Sequence, residues 1–258
     1  MAVSIDIKQK AEQALTEILQ RYSSGEGAVV RAFFSRPRSK EEYLEVLLRQ
    51  TGREVQVAHM LDRIAAMGRE LENGVDRWDL YRRVEQVADE LKHHALLADL
   101  AEWLVGHKID ASLLRKYEVH AFHDEGVDDR YMHNPLLPES GRMVDVSREL
   151  AATIPPHILS GAKTISEGGG GQAFLQASKL NGDEFQRRFA KVMGEIAGDE
   201  LQHGPEQVHA FVQQQVHTEE DLDLACRALT AIMRQHLRLR NEIYSHPLSE
   251  EELASYDR

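Results

Sequence analysis

Two stretches of this chain spell the same pattern, Asp-Glu-Leu-x-His: Asp89-Glu90-Leu91-Lys92-His93 and Asp199-Glu200-Leu201-Gln202-His203. On a helix, residues three apart lie on one face about one turn apart. Each stretch therefore aims one carboxylate and one imidazole at a single point, Glu90 with His93 and Glu200 with His203. A lone Glu precedes each pair at similar reach, Glu54 and Glu167. Two Glu-x-x-His pairs, each completed by a Glu from a neighbouring helix, can hold two metal ions inside a helical bundle. One such pair is a common accident of helical sequence; two copies of a five-residue pattern, each with a matching Glu, are not.

Charge supports the same reading. A buried carboxylate without compensation costs several kcal/mol or takes up a proton. Four of them on core-facing stripes need cations, and two divalent ions bring four positive charges.

The elements that must position these residues read as helices. Residues 5–22 carry Ile5, Ala11, Ala14, Leu15, Ile18 and Leu19 at amphipathic spacing, ahead of a turn-prone Ser23-Ser24-Gly25-Glu26-Gly27. Ser39 before Lys40-Glu41-Glu42 is an N-cap with acidic first-turn residues. The helix it opens, over 40–72, has Leu47, Glu54, Leu61 and Gly68 spaced by seven, with Thr51, Ala58 and Ala65 between them. Asn73-Gly74 tolerates the left-handed cap that ends it. A partner helix over 77–105 brackets Glu90 and His93 with Leu80, Val84, Val87, Leu97, Ala101 and Leu104.

Residues 107–144, with Gly126, Asn134-Pro135, Pro138 and Gly141, form a long crossover holding one short helix near 111–122. Helical character returns at about 145, breaks at Pro155-Pro156, and runs through Glu167 to Leu180. Asn181-Gly182 is the second tight turn, and Asp183 caps a helix over 184–214 that buries Phe185, Phe189, Ile196 and Phe211. A last helix over 219–244 carries Leu222, Leu229, Ile232, Met233 and Leu237, and Pro247 closes it. In the first hairpin Glu54 lies 19 residues before Asn73 and Glu90 lies 16 after Gly74; in the second the excursions are 14, from Glu167, and 18, to Glu200. The roughly similar lengths bring each Glu pair to a similar depth. The expected fold is all-α: one domain over 1–258, with a four-helix core at about 40–214, one long crossover, and accessory helices at about 5–22 and 219–244.

Composition narrows the function classes. A formal charge of −12 repels a phosphate backbone, so nucleic acid is not an expected partner. The single cysteine, Cys226, cannot pair within the chain, which fits a reducing cytoplasm. No apolar segment follows the start Met and no run of 18 apolar residues occurs, so the expectation is a cytoplasmic protein that neither spans nor enters a membrane.

The six residues and the long crossover together resemble the ferritin-like superfamily of di-iron carboxylate proteins, over roughly 40–214. That resemblance implies a ferritin-like four-helix bundle. It implies that Glu54, His93, Glu167 and His203 are terminal metal ligands, and that Glu90 and Glu200 bridge the metals and take part in catalysis. It further implies two iron ions, with manganese or a mixed Mn/Fe pair as variants. The expected activity is that of a dioxygen-dependent oxidoreductase, an oxygenase or oxidase, acting on a small organic substrate. It would draw on an external electron donor, and the arrangement leaves room for a homodimer. The alternative is a ferroxidase, or a rubrerythrin-like or manganese-catalase-like protein that handles iron or peroxide. A rival set using Asp199-x-x-x-His203, as in haem-oxygenase-like di-iron oxidases, leaves Glu54 and the duplicated pattern without a role. Glu45 rivals Glu54 for the first position but falls off the Leu47-Glu54-Leu61 stripe.

Around this set, Asp89 and Asp199 stand four residues before the histidines, as flanking acids or as acceptors for an imidazole N–H. His59 and His94 lie near the same depth. Gly168-Gly169-Gly170-Gly171 directly follows Glu167. Four glycines forfeit roughly 3–4 kcal/mol of helix propensity against Ala, a cost that leaves space beside a ligand or else ends a helix. Arg234, Arg238 and Arg240 with His236 make a basic cluster suited to a solvated face or a subunit contact, with an anionic substrate as the alternative.

Overall fold

A computed structural model describes residues 2–54, 67–69, 73–117, 134–167, 171–200 and 204–258. Every regular element among them is a helix: α1 (Ala2–Phe33), α2 (Lys40–Glu54), α3 (Arg77–Val105), α4 (Ala111–Arg115), α5 (Pro138–Ala151), α6 (Pro156–Glu167), α7 (Gly171–Ala177), α8 (Glu184–Glu200), α9 (Gly204–Gln215), α10 (Glu219–Ile243) and α11 (Glu250–Ser255). The all-α expectation holds. The contacts divide the chain into two compact units, residues 38–141 and residues 1–37 with 142–258.

In the unit of residues 38–141, α2 starts at a reciprocal cap. The Glu42 N–H donates to Ser39 Oγ at 3.2 Å, and the Ser39 N–H donates to Glu42 Oε2 at 2.8 Å. From there α2 buries Tyr43, Val46, Leu47, Gln50 and Thr51, the spacing of one helix face. That face packs against α3, which buries Val87, His93, Leu97, Leu100 and Ala101. Gly74 has a φ of 87°, the left-handed conformation that the Asn73-Gly74 pair foretold. Asp76 then caps α3, accepting from the Trp78 N–H at 2.9 Å. In α2, a Cβ on Gly52 would collide with the backbone carbonyl of Tyr117, just past α4, so only glycine lets these segments approach. The sequence stripe through Ala58, Leu61 and Ala65 lies outside the described residues.

In the other unit, α1 packs on α7, α9 and α10, while α6 packs on α9 and α10. Its core includes Leu15, Tyr22, Phe33, Ile158, Ile165, Phe189, Met193, Ile196 and Leu229. The expected turn at 23–27 is corrected: α1 continues through it to Phe33. Gly25 is there for closeness, since a Cβ would stand 3.0 Å from Leu237 and 3.2 Å from Tyr256. Glu26, buried, meets Arg240 Nε at 3.0 Å, and the Arg240 guanidinium lies over the Phe174 ring. These contacts from α10 and α7 outweigh the low helix propensity of two glycines and two serines.

Further boundaries move. Helix returns at Pro138 rather than 145, and α7 ends at Ala177 rather than Leu180. Asp183 caps α8 as expected, accepting from the Gln186 N–H at 2.8 Å. Beyond Pro247 the chain does not stop being helical: Ser249 and Glu252 form a capping box that opens α11.

Candidate metal centre

Glu54, Glu90 and His93 come together. Each offers one ligand atom, and these atoms lie within 4.8 Å of one another. Among the described residues this is the one group of three or more acidic, His or Cys side chains close enough to share an ion. The gathering follows from helix periodicity. Glu54 sits seven residues after Leu47 and three after Thr51, on the buried face of α2. Glu90 and His93 occupy the face of α3 that also carries Val87, Leu97 and Ala101.

Burial sharpens the site. The side chain of His93 is 1% exposed and that of Glu54 8%, while Glu90 is half-buried. His93 Nδ1 stands 3.9 Å from Glu54 Oε2, too long for a hydrogen bond. Carboxylate oxygens and imidazole nitrogens bind a divalent ion such as zinc at about 2.0–2.2 Å, so the ligand atoms of a tetrahedral site stand roughly 3.4 Å apart. Three such atoms within 4.8 Å of one another are near enough for side-chain movement of about an ångström to bring them onto one ion. Two carboxylates and an imidazole also suit iron, manganese or zinc in donor type.

The amide of Gln50 donates to Glu54 Oε1 within α2. Gln50 is 1% exposed and was not singled out from sequence. The signal was its place one turn before Glu54, on the same stripe. Glu45, the rival ligand, instead pairs with Arg49 at 2.6 Å and keeps 43% of its side chain exposed.

Glu167, Glu200 and His203 belong to the unit of residues 1–37 and 142–258. Glu167 closes α6, with its side chain outside the described residues, and Glu200 closes α8, half-buried. His203 lies outside the described residues, as do His59 and Gly168–Gly170; Gly171 is buried at the start of α7. Asp89 faces Lys92, at 3.5 Å, and is half-buried, as is Asp199. His94 is half-buried, with its Nδ1 shielded from water and making no hydrogen bond. The basic cluster on α10 is neutralised within the chain: Arg234 pairs with Asp257 at 2.7 Å, Arg238 with Glu250 at 2.7 Å and Arg240 with Glu26 at 3.0 Å. No helix among the described residues is long and apolar enough to cross a membrane.

Comparison with protein-family models, with curated proteins and with solved structures finds no match for this chain.

Proposed function

We propose that this protein is a ferritin-like, non-haem di-metal oxidoreductase that uses dioxygen to oxidise a small organic substrate, with iron as the metal. The observation that carries the proposal is the meeting of Glu54, Glu90 and His93. Three residues chosen for sequence spacing, from two helices, converge to within the reach of one ion. A coincidental Glu-x-x-His on a solvated face would not gather a third ligand from another helix, nor bury its imidazole.

In this reading Glu54, Glu90 and His93 would hold one ion, and Glu167, Glu200 and His203, the matching set in the sequence, would be the ligands of the other. Bound iron supplies the dioxygen and electron-transfer chemistry that no amino-acid side chain provides. The chain contributes geometry and dryness. The buried imidazole and the near-sealed Glu54 keep their donor atoms away from bulk water, on helix faces that also bury Leu47 and Leu97. Glu90, the third ligand of this set, is half-buried.

The test is anaerobic titration with ferrous iron, read by elemental analysis and circular dichroism. The expected result is about two Fe per chain, the stoichiometry of this ligand set. Glu90→Ala and Glu200→Ala should each lose metal while keeping helical content. Full metal content in both variants would sink the assignment. Oxygen consumption by the reduced iron-loaded protein, stimulated by a substrate, separates an oxidase or oxygenase from a ferroxidase, whose oxygen consumption follows added iron instead.

A further inference from the structure

On the buried face of α2, Tyr43, Val46 and Leu47 are packed, and the next inward position could have continued in kind. It holds Gln50 instead, 1% exposed. Burying an amide is unfavourable unless its groups find partners. Here the amide bonds Oε1 of Glu54, four residues on. A carboxylate that binds a metal is ionised and only accepts hydrogen bonds, so the nitrogen of the amide must face it. Oε2 is then the oxygen that looks toward His93 Nδ1, at 3.9 Å.

We infer that Gln50 is a positioning residue of the metal site: it ties down one oxygen of Glu54 so that the other alone meets the ion. The inference rests on Glu54, Glu90 and His93 being ligands. Without the tether, Glu54 can turn and grip an ion with both oxygens, which raises its coordination number and changes its affinity. Gln50 thus sets how many positions around the ion stay open for other ligands. Groups that orient a ligand in this way typically change metal affinity by about 10–100-fold when removed.

The experiment uses the full chain and Co(II) as the probe, because the intensity of its visible absorption falls as coordination number rises. Gln50→Leu and Gln50→Met keep the volume and remove the donor; both are compared with Glu54→Ala and with Glu54→Ala/Gln50→Leu. The expected result is a roughly 10–100-fold weaker Co(II) affinity and a dimmer visible band in the Gln50 variants, at unchanged helical content. In the Glu54→Ala background, Gln50→Leu should change nothing further, which a merely structural role would not produce. Wild-type affinity and spectrum in either folded Gln50 variant, or an equal loss in both backgrounds, overturns the inference alone. Wild-type protein that takes up no Co(II) removes the metal reading and this inference together.

Discussion

His93 Nδ1 stands 3.9 Å from Glu54 Oε2, with both side chains nearly sealed from solvent. Two polar atoms at that separation do not satisfy each other by a hydrogen bond, yet they are spaced as two donors to a common ion are. If an ion binds only the folded state, it stabilises the protein by RT ln(1 + [L]/Kd), about 2.7 kcal/mol at a hundredfold excess over Kd. Mn(II) or Fe(II) should therefore raise the midpoint of thermal unfolding, and a chelator should lower it again. His93→Ala should abolish the metal-dependent part of the shift. A metal-induced shift of wild-type size in His93→Ala would remove His93 from the ligand set.

Glu26 and Arg240 form an ion pair whose side chains are 1% and 12% exposed. Removing one partner of a buried pair leaves the other charge without compensation and costs about 3–5 kcal/mol. Glu26→Ala should lose stability on that scale in urea unfolding. Glu26→Leu/Arg240→Met, which removes both charges, should recover much of it. A loss below about 1 kcal/mol in the single variant would rank the pair with exposed surface bridges.

These two pairs also show what the sequence could and could not carry. The inward placement of Glu54 and His93 was legible because helix periodicity ties them to apolar positions in their own segments, such as Leu47 and Leu97. Glu26 was not. Its segment, Ser23-Ser24-Gly25-Glu26-Gly27, has the composition of a turn, and it is helical because Arg240, Leu237 and Tyr256, over 200 positions away, fill the space around it. Gln50 was hidden for a different reason: a glutamine on a helix is common, and only its burial beside Glu54 gives it meaning. The capping box at Ser249 and Glu252 is written in the sequence, but Pro247 just before it carries the stronger signal, that of a helix end.

The C-terminal helix α11 is fastened through Asp257, which accepts from Tyr22 Oη at 2.6 Å and from Arg234 Nε at 2.7 Å. Burial pushes the Asp257 carboxyl up, but these hydrogen bonds, with the charges of Arg234 and Arg238, outweigh it and hold it below the usual aspartate range. Burial, then the bond to Asp257, pushes the Tyr22 hydroxyl up to about 12, so Tyr22 remains a donor at neutral pH. A carboxyl lowered in the folded state contributes stability above its unfolded value of about 3.9, and loses it as pH falls through the folded value. Asp257→Asn should therefore be less stable than wild type at pH 7, with the gap closing below about pH 4. Urea unfolding across that range checks it; a gap independent of pH would assign the loss to packing.

Gly52 and Gly194 make opposite predictions from the same substitution. In α2, a Cβ on Gly52 would overlap the Tyr117 carbonyl, and backbone cannot swing aside as a flexible side chain would. Gly52→Ala must push α2 away from the segment after α4, at a cost of about 1–3 kcal/mol. Because Glu54 lies two residues further along, the same displacement should weaken metal binding. On α8, the exposed Gly194 would place its Cβ 3.6 Å from Ser178, an ordinary contact. Gly194→Ala should stabilise the protein by about 0.5–1 kcal/mol, the difference in helix propensity. Thermal unfolding of both variants, with metal affinity measured alongside, decides the matter: a Gly52→Ala protein as stable and as metal-competent as wild type would mean that α2 and the chain beyond α4 are not in contact.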